Sequence, residues 1–140
     1  MDIFTSFTIC SSGLTAQRAK MDVITSNLAN METTRTPEGG PYKRKTVILA
    51  AEPVADVFGT ALNAAVRAVK IDSIAEDGAV KMMYEPSHPD ADDKGYVAKP
   101  NVNLIMEMAD MITTSRNYEA IVTAFDATKN MALRTLDMGK

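Results

Sequence analysis

The chain has 140 residues, 46% apolar and 24% charged, with a net charge of −3. That size allows one modest core, or a small core flanked by long helices, and excludes two ordinary globular domains. The apolar content excludes wholesale disorder, and the scattered basic residues lack the broad positive footprint of a nucleic-acid binder.

The chain starts MDIFTSFTICSSGLTAQR, with Asp2 as the first charge and Arg18 as the first basic residue. A secretory signal needs the opposite order, so no Sec-type leader is expected. No apolar run approaches the roughly 20 residues that cross a bilayer, so a soluble chain or a member of an assembly is expected. Within residues 1–31, Phe7, Leu14, Met21 and Leu28 recur every seven positions, and Ile3, Cys10, Ile24 and Met31 supply the complementary track. This is the a/d seam of a helix. Gln17 is a polar intruder on it, and Gly13 beside Ser11 and Ser12 is a weak point where the helix is free to bend or start late. Cys10, the sole cysteine, can form no internal disulfide or CxxC metal site and reads as a small buried hydrophobe.

The helical pattern stops within NLANMETTRTPEGGPYKRK, residues 27–45. Asn27 and Asn30 tolerate non-helical angles, Pro37 forbids continuation, and Gly39-Gly40 permit a reversal. Residues 32–49 are therefore a junction loop, ending in a basic turn at Lys43-Arg44-Lys45. Residues 50–99 read as a β-rich insert. In it Asp77-Gly78 separates an apolar stretch ending at Ile74 from Val80, Met82 and Tyr84, alternating with Lys81 and Met83, a hairpin signal. Glu85 to Tyr96 is polar and broken by Pro86, Pro89 and Gly95, as an exposed loop would be.

In residues 100–140 the heptad spacing returns. Leu104, Met111, Tyr118, Phe125 and Ala132 form one track; Met108, Ser115, Val122, Lys129 and Leu136 form the other, with Ile105, Ile112 and Leu133 widening the stripe. Asn101 or Asn103 can cap the start and Gly139 the end. The two helices would span about 42 and 54 Å. The expected fold is mainly α with a small β insert: long N- and C-terminal helices pairing as a coiled coil, with a central hairpin and loops. The short middle cannot cover both seams. Phe7, Leu14, Met21, Ile24, Leu28, Leu104, Met108, Met111, Tyr118, Val122, Phe125 and Leu136 are therefore the candidate subunit-interface residues.

No chemistry is expected. An EF-hand begun at Asp90 would place Lys94 at its fifth position and Asn101 at its twelfth, where oxygen ligands and a bidentate Glu belong. His88 is the single histidine and cannot build a zinc site. The seven dispersed glycines form no phosphate-cradling motif. Glu107, Asp110 and Glu119 lie on the second helix, where an early carboxylate favours the helix dipole. Most of the ten methionines sit at helical core spacing. Catalytic, cofactor-binding and metal residues are thus all read as none, and no cofactor is expected.

Two stretches nevertheless carry a pattern. SGLTAQRAKMDVITSNLAN, within residues 12–45, has a small residue, Gly-Leu, a basic residue and Asn27-x-x-Asn30 at the helix end. GYVAKPNVNLIMEMADMITTSRNYEAIVTAFDATKNM, within residues 96–140, has Pro100-Asn101-Val102 followed by Ser115-Arg116-x-Tyr118-Glu119. The chain resembles the flagellar rod, hook and hook-filament family of bacteria on both. Thr36, Pro37, Gly39, Gly40 and Tyr42 in TRTPEGGPYKR, with YEPSHPDADDKGYV, resemble its proximal-rod branch. The resemblance implies a structural axial subunit of the rod, the shaft carrying torque from the membrane ring to the hook, with no reaction and no cofactor. It implies as partners other copies of itself, the rod proteins FlgB, FlgF and FlgG, and the membrane-ring adaptor. It also implies the type III export apparatus, delivery to the periplasm-spanning rod without a Sec signal, and neither nucleic acid nor a small-molecule substrate. The rival from the residues alone is a soluble coiled-coil adaptor for a cytoplasmic partner, which unlike a rod subunit would not sediment with basal bodies.

Overall fold

A computed structural model of the chain describes residues 3–54 and 66–139; part of the expected insert, residues 55–65, lies outside the described residues. Two long helices bracket two small antiparallel sheets, in the order α1 (Ile3–Ala29), β1 (Arg44–Pro53), β2 (Arg67–Asp77), β3 (Val80–Tyr84), β4 (Tyr96–Pro100), α2 (Leu104–Met138).

Helix α1 has no proline and runs unbroken for 27 residues. It starts ten residues before Gly13 and is not interrupted there, so the late start that its sequence neighbours allowed does not occur. A Cβ there would lie 3.2 Å from Ile121 Cδ1, so its missing side chain is what lets α2 approach. The helix stops at Asn30, whose backbone N–H and side-chain Nδ2 both donate to the Ser26 carbonyl (3.1 and 2.9 Å). Helix α2 starts at Asn103 rather than Asn101: the Asn103 carboxamide accepts from the N–H groups of Ile105 and Met106 at 3.0 and 3.3 Å, satisfying two orphan donors of the first turn. At its far end Gly139 N–H donates to Leu136 O at 3.3 Å, with φ −89°, so the cap forms without left-handed backbone.

The helices pack side by side and antiparallel, because Phe7 meets Phe125 (ring centroids 5.0 Å apart), Gly13 meets Ile121 and Asn27 meets Glu107. On α2 the inward tracks are Met111, Tyr118, Phe125 and Ala132, as the heptads require, and Glu107, Thr114, Ile121 and Thr128. This second track lies one residue before the expected one, so Met108, Val122 and Leu136 turn outward, as does Leu104. On α1 the deepest positions are Gly13, Ala16, Ile24 and Asn27, while Phe7, Leu14, Met21 and Leu28 are half-buried. The seam centre is thus small and polar, with bulky side chains on its flanks.

The sheets correct the expected hairpin. Asp77-Gly78 does not join paired strands: β2 pairs with β1, and β3 pairs with β4. A two-residue hairpin of type I′ needs positive φ at both central residues, and Gly78 is not among the glycines with positive φ, which are Gly39, Gly40 and Gly95. The Asp77 carboxylate instead accepts from Ala79 N–H at 2.9 Å and turns the chain from one sheet to the next. In the first sheet the register slips between Ile48 and Leu49, leaving Asp72 unpaired as a bulge. This sheet lies along α1, where Val69 N–H donates to Ser12 Oγ at 3.2 Å.

The second sheet closes through the expected polar loop. Glu85 N–H bonds Gly95 O at 2.9 Å, and the Asp92 carboxylate accepts from the N–H groups of Lys94 and Tyr96 at 2.9 and 2.7 Å. Gly95 adopts φ +82°, where a Cβ would sit 2.9 Å from Tyr84 Cε2. This sheet is tied to the junction after α1 by Lys99 Nζ, 2.9 Å from both Glu32 and Glu85, and by the Thr34 hydroxyl donating to Asp90 at 2.8 Å.

These ion pairs make the second sheet's attachment pH-sensitive at both extremes. The Lys99 ammonium, chiefly by hydrogen bonding, holds the Glu85 carboxyl below its ordinary value of 4.5. Glu85 and then Glu32 raise Lys99 above 10.5. The Glu85 contribution is present above its unfolded pKa and is lost as pH falls below about 4.5 through the depressed folded value. The Lys99 contribution is present up to its unfolded pKa and is lost as pH rises past 10.5 through the raised one. Protection factors of the β3 and β4 amides, taken against intrinsic exchange at each pH, are expected to fall outside these limits in wild type, and to lose both dependences in Lys99→Met.

Candidate functional site

Asn27 and Glu107 meet where α1 ends and α2 begins, and each is only 1% exposed. Two buried polar groups in so thin a core require complete pairing. The Asn27 carboxamide has it. Its Oδ1 accepts from Lys45 N–H (2.9 Å) and Tyr42 Oη (3.0 Å), and its Nδ2 donates to Lys45 O (2.9 Å) and Glu107 Oε2 (3.2 Å). The side chain thus acts like a neighbouring strand, taking both backbone groups of Lys45 on the edge of β1 that β2 does not use. Because the Tyr42 proton goes to Asn27, Ser26 Oγ donates to the Tyr42 oxygen at 3.1 Å.

Glu107 completes the cluster. Arg44 Nε and Nη2 both lie 2.7 Å from its Oε1, and Arg44 Nη1 donates to Thr46 Oγ1 at 3.0 Å. One carboxylate therefore joins both helices and β1. The turn that delivers Tyr42 and Arg44 is built from Thr36 to Gly40: Gly39 N–H bonds Thr36 O (3.0 Å), Thr36 N–H bonds Gly40 O (2.9 Å), and Gly39 and Gly40 have φ +91° and +77°. Tyr42 N–H then returns to Thr33 O at 3.0 Å.

The family-pattern residues thus fall into two groups. Asn27, Asn30, Thr36, Pro37, Gly39, Gly40 and Tyr42 converge on the junction. Pro100 is buried at the end of β4, Val102 and Tyr118 are half-buried, and Asn101, Arg116 and Glu119 are exposed away from it. Sequence reasoning missed Arg44 and Glu107. The basic run around Arg44 read as a solvated turn, and Glu107 as a dipole charge; opposite charges 63 positions apart in the chain carry no local signal of pairing. Lys45 is likewise engaged, 3.6 Å from Glu76 and 5.9 Å from the Tyr42 ring centroid.

Between Glu107 and Ile121 on the inward face, Thr114 is fully buried and its hydroxyl has no hydrogen-bond partner among the described residues; the same holds for Gln17 Oε1. The other threonines of α2 differ: Thr113, Thr123, Thr128 and Thr135 each donate to the carbonyl four residues back, at 2.7 to 2.9 Å.

Away from the junction the molecule is thinly covered. Ala16, Ile24, Tyr42 and Val97 are its buried apolar residues among those described. A compact monomer of 15.2 kDa would expose about 7,100 Å². This chain exposes 9815 Å², an excess of about 2,700 Å² over that scaling. Leu104, Ile105, Met108 and Ile112, at 45 to 78% exposure, form an apolar band on the first two turns of α2. The structure offers no clustered metal-binding side chains among the described residues. A cleft of about 300 Å³ beside the junction turn sets Lys43 and Lys45 against Glu38 and Glu76. These features define a framework with unsatisfied apolar surface, held at one polar joint.

Comparison with known proteins assigns that framework to a class. The family described as "Flagella basal body rod protein" matches residues 8–35, and "Flagellar basal body rod FlgEFG protein C-terminal" matches residues 93–138. The chain is thus a structural protein of the flagellar basal-body rod and not an enzyme. It is similar to the flagellar basal-body rod protein FlgC of Bacillus subtilis, 43% identical over the whole of both chains. It is also similar to FlgC of Borreliella burgdorferi, 42% identical over 94% of this chain and 93% of that one, and of Escherichia coli, 38% identical over the whole of both. The chain belongs to the FlgC family.

Two substitutions test the joint. Asn27→Asp keeps the shape, loses both donated bonds and puts a second carboxylate beside Glu107; urea unfolding is expected to show a loss of about 3 kcal/mol. Thr114→Val removes a buried hydroxyl without a partner and is expected to stabilise by about 1 kcal/mol, read as a raised Tm.

Proposed function

We infer that this chain polymerises through its two terminal helices into the proximal rod, contacting other rod proteins, and transmits torque from the membrane ring to the hook. One observation carries the reading: an accessible surface about 2,700 Å² above that of a compact monomer, with Leu104, Ile105, Met108, Ile112, Leu133 and Leu136 of α2 among the exposed large apolar residues. A partner in a standard interface contributes about 800 Å², so the excess corresponds to roughly three patches. One two-fold contact uses one patch, whereas a helical lattice uses several. Pairing of α1 and α2 as a coiled coil within such a lattice fits the antiparallel contacts, and Leu104, Met108, Val122 and Leu136 are its outward interface residues. Export by the flagellar type III apparatus belongs to the same reading, as do contacts with FlgB, FlgF, FlgG and the membrane-ring adaptor.

The reading is tested with a side chain that does nothing in the subunit itself. Phe125→Asp would also break the Phe7 contact and confuse folding with assembly. Ile105, 78% exposed, is cleaner. Ile105→Asp is expected to leave the monomer's unfolding within about 0.5 kcal/mol of wild type and to abolish sedimentation with basal bodies and motility. Full motility of that variant would refute polymerisation through this helix face.

A further inference from the structure

Strand β3 has an edge left unpaired among the described residues. Both backbone groups of Tyr96 turn to Asp92 and away from Tyr84: its N–H donates to the Asp92 carboxylate at 2.7 Å, and its O accepts from Asp92 N–H at 2.8 Å. The next pair along, Glu85 N–H to Gly95 O, is bonded at 2.9 Å. Tyr84 and Tyr96 are therefore a pair without mutual hydrogen bonds. Because the register is unbroken from there to Val80 opposite Pro100, the alternation of an antiparallel ladder turns the N–H and C=O of Val80, Met82 and Tyr84 away from β4. All five residues of β3 are exposed. The edges of the first sheet differ, since Asn27 takes both backbone groups of Lys45 on β1 and Ser12 accepts from Val69 N–H on β2.

The side chains give this edge a character. Val80, Met82 and Tyr84 share one face and are 50, 54 and 65% exposed. Tyr84 is braced by the Tyr96 ring, edge-on with centroids 5.3 Å apart. On the other face Lys81 lies opposite Lys99, and like charges in that relation repel. Lys99 is neutralised by Glu32 and Glu85, whereas Lys81 has no ion-pair partner among the described residues. We propose that β3 receives an extended segment of another protein as a third strand, apolar at alternate positions and bearing an acidic side chain opposite Lys81. Main-chain bonds to the three outward residues hold such a segment, and its side chains select it. A second copy's β3 fits poorly: VKMMY offers Lys81 no acid, and a lysine on an edge strand is a device against self-pairing. None of these residues lies on α1 or α2, so the contact is independent of polymerisation through the helices.

The test titrates the isotope-labelled full chain with the capped heptapeptide Ser-Val-Thr-Val-Glu-Val-Ser and with its Lys-centred counterpart, in which Lys replaces Glu. Amide exchange is expected to slow at Val80, Met82 and Tyr84 and to stay unchanged at Lys81 and Met83, whose N–H groups already face β4. The Glu-centred peptide is expected to bind about threefold tighter than the other, and Lys81→Glu to invert that order. Met82→Pro removes the central outward N–H without touching the ladder and is expected to abolish binding of both; Lys81→Glu keeps the test decisive should the proline unfold the sheet. Protection of all five β3 amides alike, protection confined to other elements, or no binding of either peptide would overturn the proposal. So would an order of affinities that Lys81→Glu leaves unchanged. Protection of the three amides that grows with protein concentration alone would mean that a second copy pairs with the edge, and refutes the assigned partner.

Discussion

The four hydrogen bonds of the Asn27 carboxamide are the constraint on which the rest depends. They fix the end of α1 against the edge of β1 and, through Glu107 and Arg44, against the start of α2. Without that joint, three elements distant in sequence would meet only through a thin apolar seam. The Glu107 side chain is tolerable there because Arg44 donates to one of its oxygens and Asn27 to the other. The glycines of the preceding turn matter for the same reason, since only their positive φ values bring Tyr42 and Arg44 back to the helix end.

A subunit built this way is stiff at one end and unfinished elsewhere. The joint positions two helices of unequal length with bulky side chains outward, and the single chain leaves them uncovered. The threonines of α2 that bond their own helix belong to this logic: they are polar in sequence yet demand nothing from a covering partner. Thr114 stands apart as a buried hydroxyl without such a bond, set on the inward track at the seam's small, polar centre.

Much of this architecture was legible in advance. Both helices, their lengths, the stop near Asn30, the reversal at Gly39-Gly40 and the loop from Glu85 follow from spacing and turn chemistry. The second inward track of α2 was displaced by one residue, because apolarity marked Met108 and Val122 while the closest approach to α1 selected smaller or paired residues at 107, 114 and 121. The Asp77-Gly78 hairpin failed for a different reason: both flanking strands found partners elsewhere in the chain, β1 before the turn for one and β4 after it for the other, and the turn became a link between sheets. Gly13 read as a defect because a glycine in a helix is costly unless another helix needs the space.

The sequence by itself determined the periodic elements and, through its two family patterns, the kind of protein this is, since heptad spacing, caps and breakers act over a few residues. Only the tertiary structure decided which faces those helices turn to each other, which charges pair, and which strands join, because those outcomes depend on distances between residues tens of positions apart. Glu107 illustrates the division. As a residue it is an ordinary early carboxylate of a helix; as part of the fold it is the point where both helices and the first strand are held together.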